Sequence, residues 1–413
     1  MSVYQRFFEP VRLALGRAKY TRSCQIFSDE QFLLSGLLRV IEPVQSGRDW
    51  IQQLLSRTKI PLSVGNFFEA LKSPRRLLLT QEVALTIRQQ VDQVAADRDP
   101  LKVHDELNPM AVYAADGHYH ARASHDLKQG TRAEPVGHFF ALNLRTHTLH
   151  HLDVARPEYK REHDITALKR LDAAELRMGE PKGRKVILVY DKAGIDFRAW
   201  YRWKQSKGLY MISREKDNME LDVVGNNPWD EQDLRNQGVL SDELVGAPIL
   251  LRRIRYQDAS TGKVYRFLTN EMTLPPGLIC WLYQQRWAIE KVFDELKNKL
   301  AEQKAWASSY TAKAQQAVLL CLVHNLMVNL EDALDREERI TDIKVLHKQM
   351  RRRKKLEKQL AEQGKTLNPL VRSLQRSTQR SLQFIRWLRI VLREFTSWEI
   401  AVEDLRPLMN KYL

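Results

Sequence analysis

Residues 185–190, Lys-Val-Ile-Leu-Val-Tyr, form an unbroken apolar run that stops abruptly at Asp191. A strand with one face in water alternates polar and apolar side chains; a continuous run suits a parallel strand covered on both faces. The chain must therefore supply helices for two sides of a sheet, and its neighbouring segments do so. Residues 111–115 are a short apolar run halted by Asp116-Gly117, which predicts a first strand. Residues 138–144 and 149–154 flank the polar stretch 145–148 as the two strands of a hairpin would. A helix is expected over 167–178, another over 197–207, and a strand over 208–214. The order strand, hairpin, helix, strand, helix, strand suits a mixed sheet with helices packed on its faces.

Residues 281–297 carry a second constraint. Tyr283, Arg286, Glu290 and Lys297 stand at successive offsets of three, four and seven. At about 100° per residue they fall within roughly 60° of arc on one helical face. Ile289, Val292 and Leu296 lie opposite, with Phe293 on the shoulder, so such a helix can bury one stripe and present the other to a ligand. A carboxylate beside two cations and a phenol is the equipment of phosphodiester chemistry, in which a carboxylate holds a divalent metal and cations hold phosphates. The plainer alternative is an exposed helix with an Arg286/Glu290 i,i+4 pair worth about 0.2–0.5 kcal/mol.

The balance of charge favours a polyanionic partner. Lys and Arg total 66 against 51 Asp and Glu, giving +15 over 413 residues. A field of that sign attracts nucleic acid over distance. No strongly apolar run approaches the ~20 residues of a spanning helix, so no membrane partner is expected. The amino terminus has no signal-type apolar segment, and a cytoplasmic location is expected. Cys24, Cys280 and Cys321 show no paired spacing and read as reduced thiols.

The chain divides into five segments on this basis. Residues 1–104 are helical and basic, a candidate DNA-binding unit of helix-turn-helix type or a plain packing domain. Residues 105–214 are the first part of an α/β core. Residues 215–276 are a β-rich insertion, with a hairpin of strands 249–256 and 263–268. Residues 277–335 complete the core with the 281–297 helix and a buried companion over 312–330. Residues 336–413 are a helical basic region with its densest run at 347–355; residues 384–392 have an apolar face to bury, and this region is the expected site of dimerisation.

The spacing Tyr283-x2-Arg286-x3-Glu290-x6-Lys297 resembles the YREK signature of bacterial insertion-sequence transposases, the DDE group with a β-rich insertion before the last acidic residue. Asp116-Gly117 after one strand, Asp191-x-Ala-Gly194 after another, and Thr269-Asn270 before the signature are similar to that family too. The order of elements is also that of the ribonuclease H-like fold. The resemblance implies a catalytic core of that fold with helical regions at both ends. It implies that Asp116, Asp191 and Glu290 bind two divalent ions, magnesium first and manganese as the alternative. Tyr283, Arg286 and Lys297 would then hold DNA phosphates. The implied partners are the element's double-stranded terminal repeats and target DNA, engaged by a homodimer. The implied reactions are cleavage at the ends and strand transfer. A hairpin-ended intermediate would need an aromatic platform for a flipped base, with Tyr265 and Phe267 of the insertion as candidates.

Two rival functions remain: a transposase-derived DNA-binding protein without chemistry, and a metal-dependent nuclease of the same fold. Among the acidic residues, Glu290 is preferred to its neighbour Asp294 by the signature spacing. Asp191 is preferred to Asp196 because it ends the strand. His118, His120, His150 and His151 invite a zinc site, but no cysteine or HExxH pattern accompanies them; they read as polar surface or DNA contacts. Trp281 and Trp287 read as core.

Overall fold

The computed structural model describes residues 1–43, 46–58, 62–120, 136–156, 162, 164–246, 248–300, 304–307, 309–372 and 377–409. Five helices come first: α1 (Val3–Leu15), α2 (Asp29–Ile41), α3 (Gly47–Thr58), α4 (Val64–Leu71) and α5 (Pro74–Ala95). Serine caps fix their starts. Ser2 and Ser28 each make a reciprocal capping box with a glutamine three residues on. Ser63 and Ser73 cap α4 and α5.

The core then alternates strands and helices: β1 (Met110–His120), β2 (Val136–Asn143), β3 (Leu149–Val154), α6 (Asp164–Arg170), β4 (Lys185–Val189), α7 (Phe197–Lys207) and β5 (Leu209–Arg214). β1 pairs antiparallel with β2, and β2 with β3, while β1, β4 and β5 run parallel. This is the ribonuclease H-like arrangement. Two expectations need correction. β1 continues through Asp116 to His120, so Asp116 sits within the strand and not at its end. The helix expected over 167–178 stops at Arg170. Asp172 then accepts from the Ala174 amide and starts a separate 3-10 turn, Glu175–Arg177.

The insertion contributes β6 (Asp222–Asn226), β7 (Val239–Gly246), β8 (Leu250–Gln257) and β9 (Val264–Thr269). The 249–256/263–268 hairpin is β8–β9; β6 and β7 were not foreseen. All four extend the same sheet, giving the nine-stranded order β3-β2-β1-β4-β5-β9-β8-β7-β6. Buried Arg252 on β8 binds Asp242 on β7 at 2.8 Å and the Leu274 carbonyl at 2.7 Å, tying the insertion to the chain that leaves it. That chain enters α8 (Pro276–Gln285), where a Cβ on Gly277 would lie 2.0 Å from the Arg235 carbonyl oxygen. Glycine is required for this contact.

The remaining helices are α9 (Trp287–Asn298), α10 (Tyr310–Glu338), α11 (Ile343–Ala361), α12 (Pro369–Arg372), α13 (Leu382–Arg393) and α14 (Trp398–Met409). α10 is long and apolar enough to cross a membrane, and 89% of its apolar window is buried inside the fold. Asn325 on α10 grips both backbone polar groups of Leu149 on strand β3, at 2.8 and 3.0 Å.

Alternation along the strands separates two cores. Val112 and Ala114 of β1, Phe140 and Leu142 of β2, and Ile187 and Val189 of β4 face a large cluster that includes residues of α1, α2, α5, α8, α9, α10, α13 and α14. The terminal helices thus share one core with that face of the sheet. Ala111, Tyr113, Val186 and Leu188 face the opposite way, onto Ala199, Trp200 and Trp203 of α7. The run 185–190 is buried on both faces, as its composition required.

Candidate active site

The register of β1 and β4 places the first two acidic residues side by side. Ala114 pairs with Val189, and Asp116 and Asp191 each follow two residues later. Period-two alternation gives Asp116 the orientation of Ala114, toward the face covered by α9, while Asp191 lies two residues beyond the end of β4. Neighbouring strands lie about 4.8 Å apart. Asp191 leaves the strand at once: its side chain accepts from the Ala193 amide at 2.7 Å and caps the 3-10 turn Lys192–Gly194.

α8 and α9 meet at Arg286, where the continuous helix expected over 281–297 is interrupted. The Arg286 amide donates to the Tyr283 carbonyl, and the Ile289 amide to the Arg286 carbonyl, both in i to i−3 fashion. The tightened joint still holds Arg286 in right-handed helical conformation, so Tyr283, Arg286 and Glu290 remain on one side.

Arg286 is 7% exposed. Its Nη1 donates to Asp116 at 2.9 Å and its Nη2 to Glu290 at 2.7 Å. Burial by itself would lower its pKa, but the charges of Asp116, Tyr283 and Glu290 outweigh that and raise it. The buried Nε has no hydrogen-bond partner among the described residues. Tyr283 packs on Phe267 of β9 with ring centroids 5.0 Å apart. Burial pushes its phenol up, Arg286 and Arg214 pull it down, and Asp191 opposes them. Five of the six predicted site residues therefore influence one another. Lys297 does not: it is exposed in the last turn of α9, about 10 Å along the axis from Glu290.

The competing acids are occupied elsewhere. Asp294 accepts from Asn298 at 2.5 Å and from Gln379. Asp196 caps α7 through the Ala199 amide at 2.8 Å and pairs with Lys169 at 2.6 Å. Asn270 is buried and structural: its side chain accepts from the Met211 amide and donates to the Trp200 carbonyl.

Oxygen donors from carboxylates match a hard divalent cation, and one guanidinium against three carboxylates leaves the site short of positive charge. Among the described residues no three His, Cys, Asp or Glu side chains converge as a ready cage. Arg286 occupies the space between the Asp116 and Glu290 carboxylates.

The aromatic and histidine expectations change. Trp281 is core, packed on His104, but Trp287 is 57% exposed beside Arg286. Phe267 is buried and cannot receive a base from solvent, while Tyr265 is half-buried and packs on it. His118, His120, His138 and His151 form a row of ring contacts 5.0–5.7 Å apart on the face that also carries Asp116, against Phe140 and Phe293. They are not polar surface: His118, His120 and His138 are buried. Burial holds His138 well below its ordinary pKa and takes His151 to about 4. His138 went unnoticed in sequence; it lies opposite His118 in the β1–β2 register, a pairing between strands that no local pattern specifies.

Among solved structures, the cryo-EM structure of a piggyBac transposase synaptic complex with hairpin DNA is similar over 99% of this chain and 80% of that one, at 10% identity and a TM-score of 0.39. The crystal structure of Aa-Ago with externally bound siRNA is similar over 60% of this chain and 34% of that one, at 13% identity and a TM-score of 0.24. No curated protein sequence matches the chain. The family model for the transposase DDE domain matches residues 91–326, more than half the length and the whole of the sheet and α8–α9 described above, so the chain belongs to the transposase DDE domain family.

Proposed function

We propose that the protein is an insertion-sequence transposase of the YREK type, which cleaves DNA at the ends of its element and joins the freed 3′ ends to target DNA. The observation that carries this reading is the double ion pair of Arg286 with Asp116 and Glu290, with Asp191 just beyond the end of the neighbouring strand β4. Asp116, Asp191 and Glu290 would hold two divalent ions, magnesium for preference. When bound, such a pair supplies activation of the attacking oxygen and charge relief at the leaving oxygen.

Arg286 is the residue with two tasks. Without DNA it neutralises two carboxylates that would otherwise repel each other. Released from them, its planar fork can take two phosphate oxygens, which a lysine cannot do in the same geometry. Tyr283, whose ring centroid lies 5.8 Å from the Arg286 guanidinium carbon, would help to orient that fork. Lys297, exposed and without an ion pair among the described residues, serves as a point charge for the DNA strand further along α9. Trp287 offers an exposed ring beside the site on which a displaced base can stack. The protein would act as a homodimer on paired terminal repeats, in the cytoplasm of a bacterial cell, with the helices of 1–104 as further DNA contacts.

The test is cleavage of linear DNA carrying the flanking terminal repeats, with Mg²⁺ or EDTA, by the wild type and by Asp191→Ala. Metal-dependent cuts at the repeat ends, lost in the variant, support the proposal. Binding without cutting would point to a non-catalytic derivative, and cuts indifferent to the repeats to a general nuclease.

A further inference from the structure

α7 lies on the face of the sheet opposite α9 and buries Ala199, Trp200 and Trp203. Its outer side carries Arg198, Tyr201, Arg202 and Gln205, all exposed, at the offsets of one helical stripe. This stripe lines a groove of about 980 Å³, together with Lys169 of α6, Lys204 of α7 and residues 248–250 at the start of β8. The groove's one carboxylate, Asp196, is already paired with Lys169.

Two features run against the helix's own stability. Arg198 and Arg202 are like charges at i,i+4, and neither makes a hydrogen bond or ion pair through its guanidinium with a described residue. Arg198 also stands in the first turn, where the helix dipole disfavours a cation. Asp196, already paired with Lys169, attracts Arg202 as well, so one carboxylate is shared among several cations and a polyanionic ligand would supply the remaining counter-charge. The cations and the exposed Tyr201 ring suit a nucleic-acid backbone. Asn270, which also lines the groove, is committed to the Met211 amide and Trp200 carbonyl, and the arginines and lysines are of the type that contacts phosphates.

We infer that the α7 groove binds target DNA. The inference rests on the transposase reading. The transposon end and its flank are one duplex, and α8–α9 with Lys297 serve it on one face of the sheet. Target DNA is a separate duplex and needs its own surface. α7 starts six residues after Asp191, and its N-cap Asp196 lines the groove, which places the groove's near end close in the chain to the candidate site.

The experiment compares wild type with Arg198→Ala/Arg202→Ala and Arg198→Lys/Arg202→Lys in three assays. These are cleavage at the ends without target, joining of precut ends to a plasmid, and salt-dependent binding of a random-sequence duplex. The alanine variant is expected to cut normally, to join about tenfold less, and to lose about 1.8 from the slope of log binding constant against log salt, two phosphate contacts at ~0.9 each. The lysine variant should restore joining, because a point charge suffices for a backbone contact. Unchanged joining and slope would overturn the proposal in favour of a solvated face. Cleavage reduced in parallel with joining would overturn it in favour of a surface for the element's own end. A wild type that does not cut ends defeats the transposase reading instead, and leaves the salt slope as an independent test of the groove.

Discussion

Arg286 lies 2.9 Å from Asp116, a residue 170 positions earlier in the chain. The same guanidinium holds Glu290 one helical turn away at 2.7 Å. A single buried cation thereby ties α9 to strand β1.

Arg286→Ala should lower end cleavage by about 10²–10³, the usual loss when a preorganised charge is removed from an active site. Arg286→Lys should recover only part of it, since a compact ammonium lacks the planar fork that spans both carboxylates in this geometry. Cleavage rates of the two variants decide the matter, and a fully active lysine variant would show that the fork is not needed.

Glu290→Gln should cost several kcal/mol of transition-state stabilisation, about 10³-fold or more in rate, while end binding stays within a few-fold. Asp294→Asn, one turn on and bound to Asn298 and Gln379, should leave cleavage near wild type. Side-by-side kinetics with a gel-shift control test the pair; the opposite ranking would move the site along the helix.

Lys297→Ala should weaken end binding and reduce the salt slope by about 1, the effect of one phosphate contact. Titrations at several salt concentrations measure it. An unchanged slope removes Lys297 from the interface.

Glu295 on α9 is fully buried and is held by Arg380, whose Nη1 donates to it at 2.9 Å. Burial raises the Glu295 pKa against the pull of Arg380. Arg380→Ala leaves that carboxylate unpaired and should destabilise the protein by about 3–5 kcal/mol in urea. Glu295→Leu/Arg380→Met removes both charges and should regain most of the loss; a double variant as unstable as the single one would mean that packing, not charge, is at stake.

The histidine row makes stability depend on pH with a definite sign. Folding lowers the pKa of His138 and His151, the latter to about 4, from the unfolded value of about 6.5. Between these values the unfolded chain binds more protons. Stability from this source is therefore full above about pH 6.5 and is lost as pH falls toward 4, by up to about 1.4 kcal/mol per pH unit for each histidine. His138→Gln should flatten the fall of the unfolding midpoint between pH 7 and 5. An equally steep profile would place the sensitive groups elsewhere.

Sequence pattern alone determined the buried strand β4, the hairpin and α7. These depend on periodicity and on residues next to one another in the chain, such as the apolar run that ends on Asp191. Tertiary structure decided the rest. The insertion's four strands continue the main sheet, because β9 presents its edge to β5, a pairing between residues about 55 positions apart that no local pattern encodes. The break at Arg286, the exposure of Trp287, the burial of Phe267 and the row of imidazoles on the Asp116 face arise in the same way. Local sequence says which side chains share a face; only the packing of that face against another element says whether it meets water, a neighbouring charge or the core.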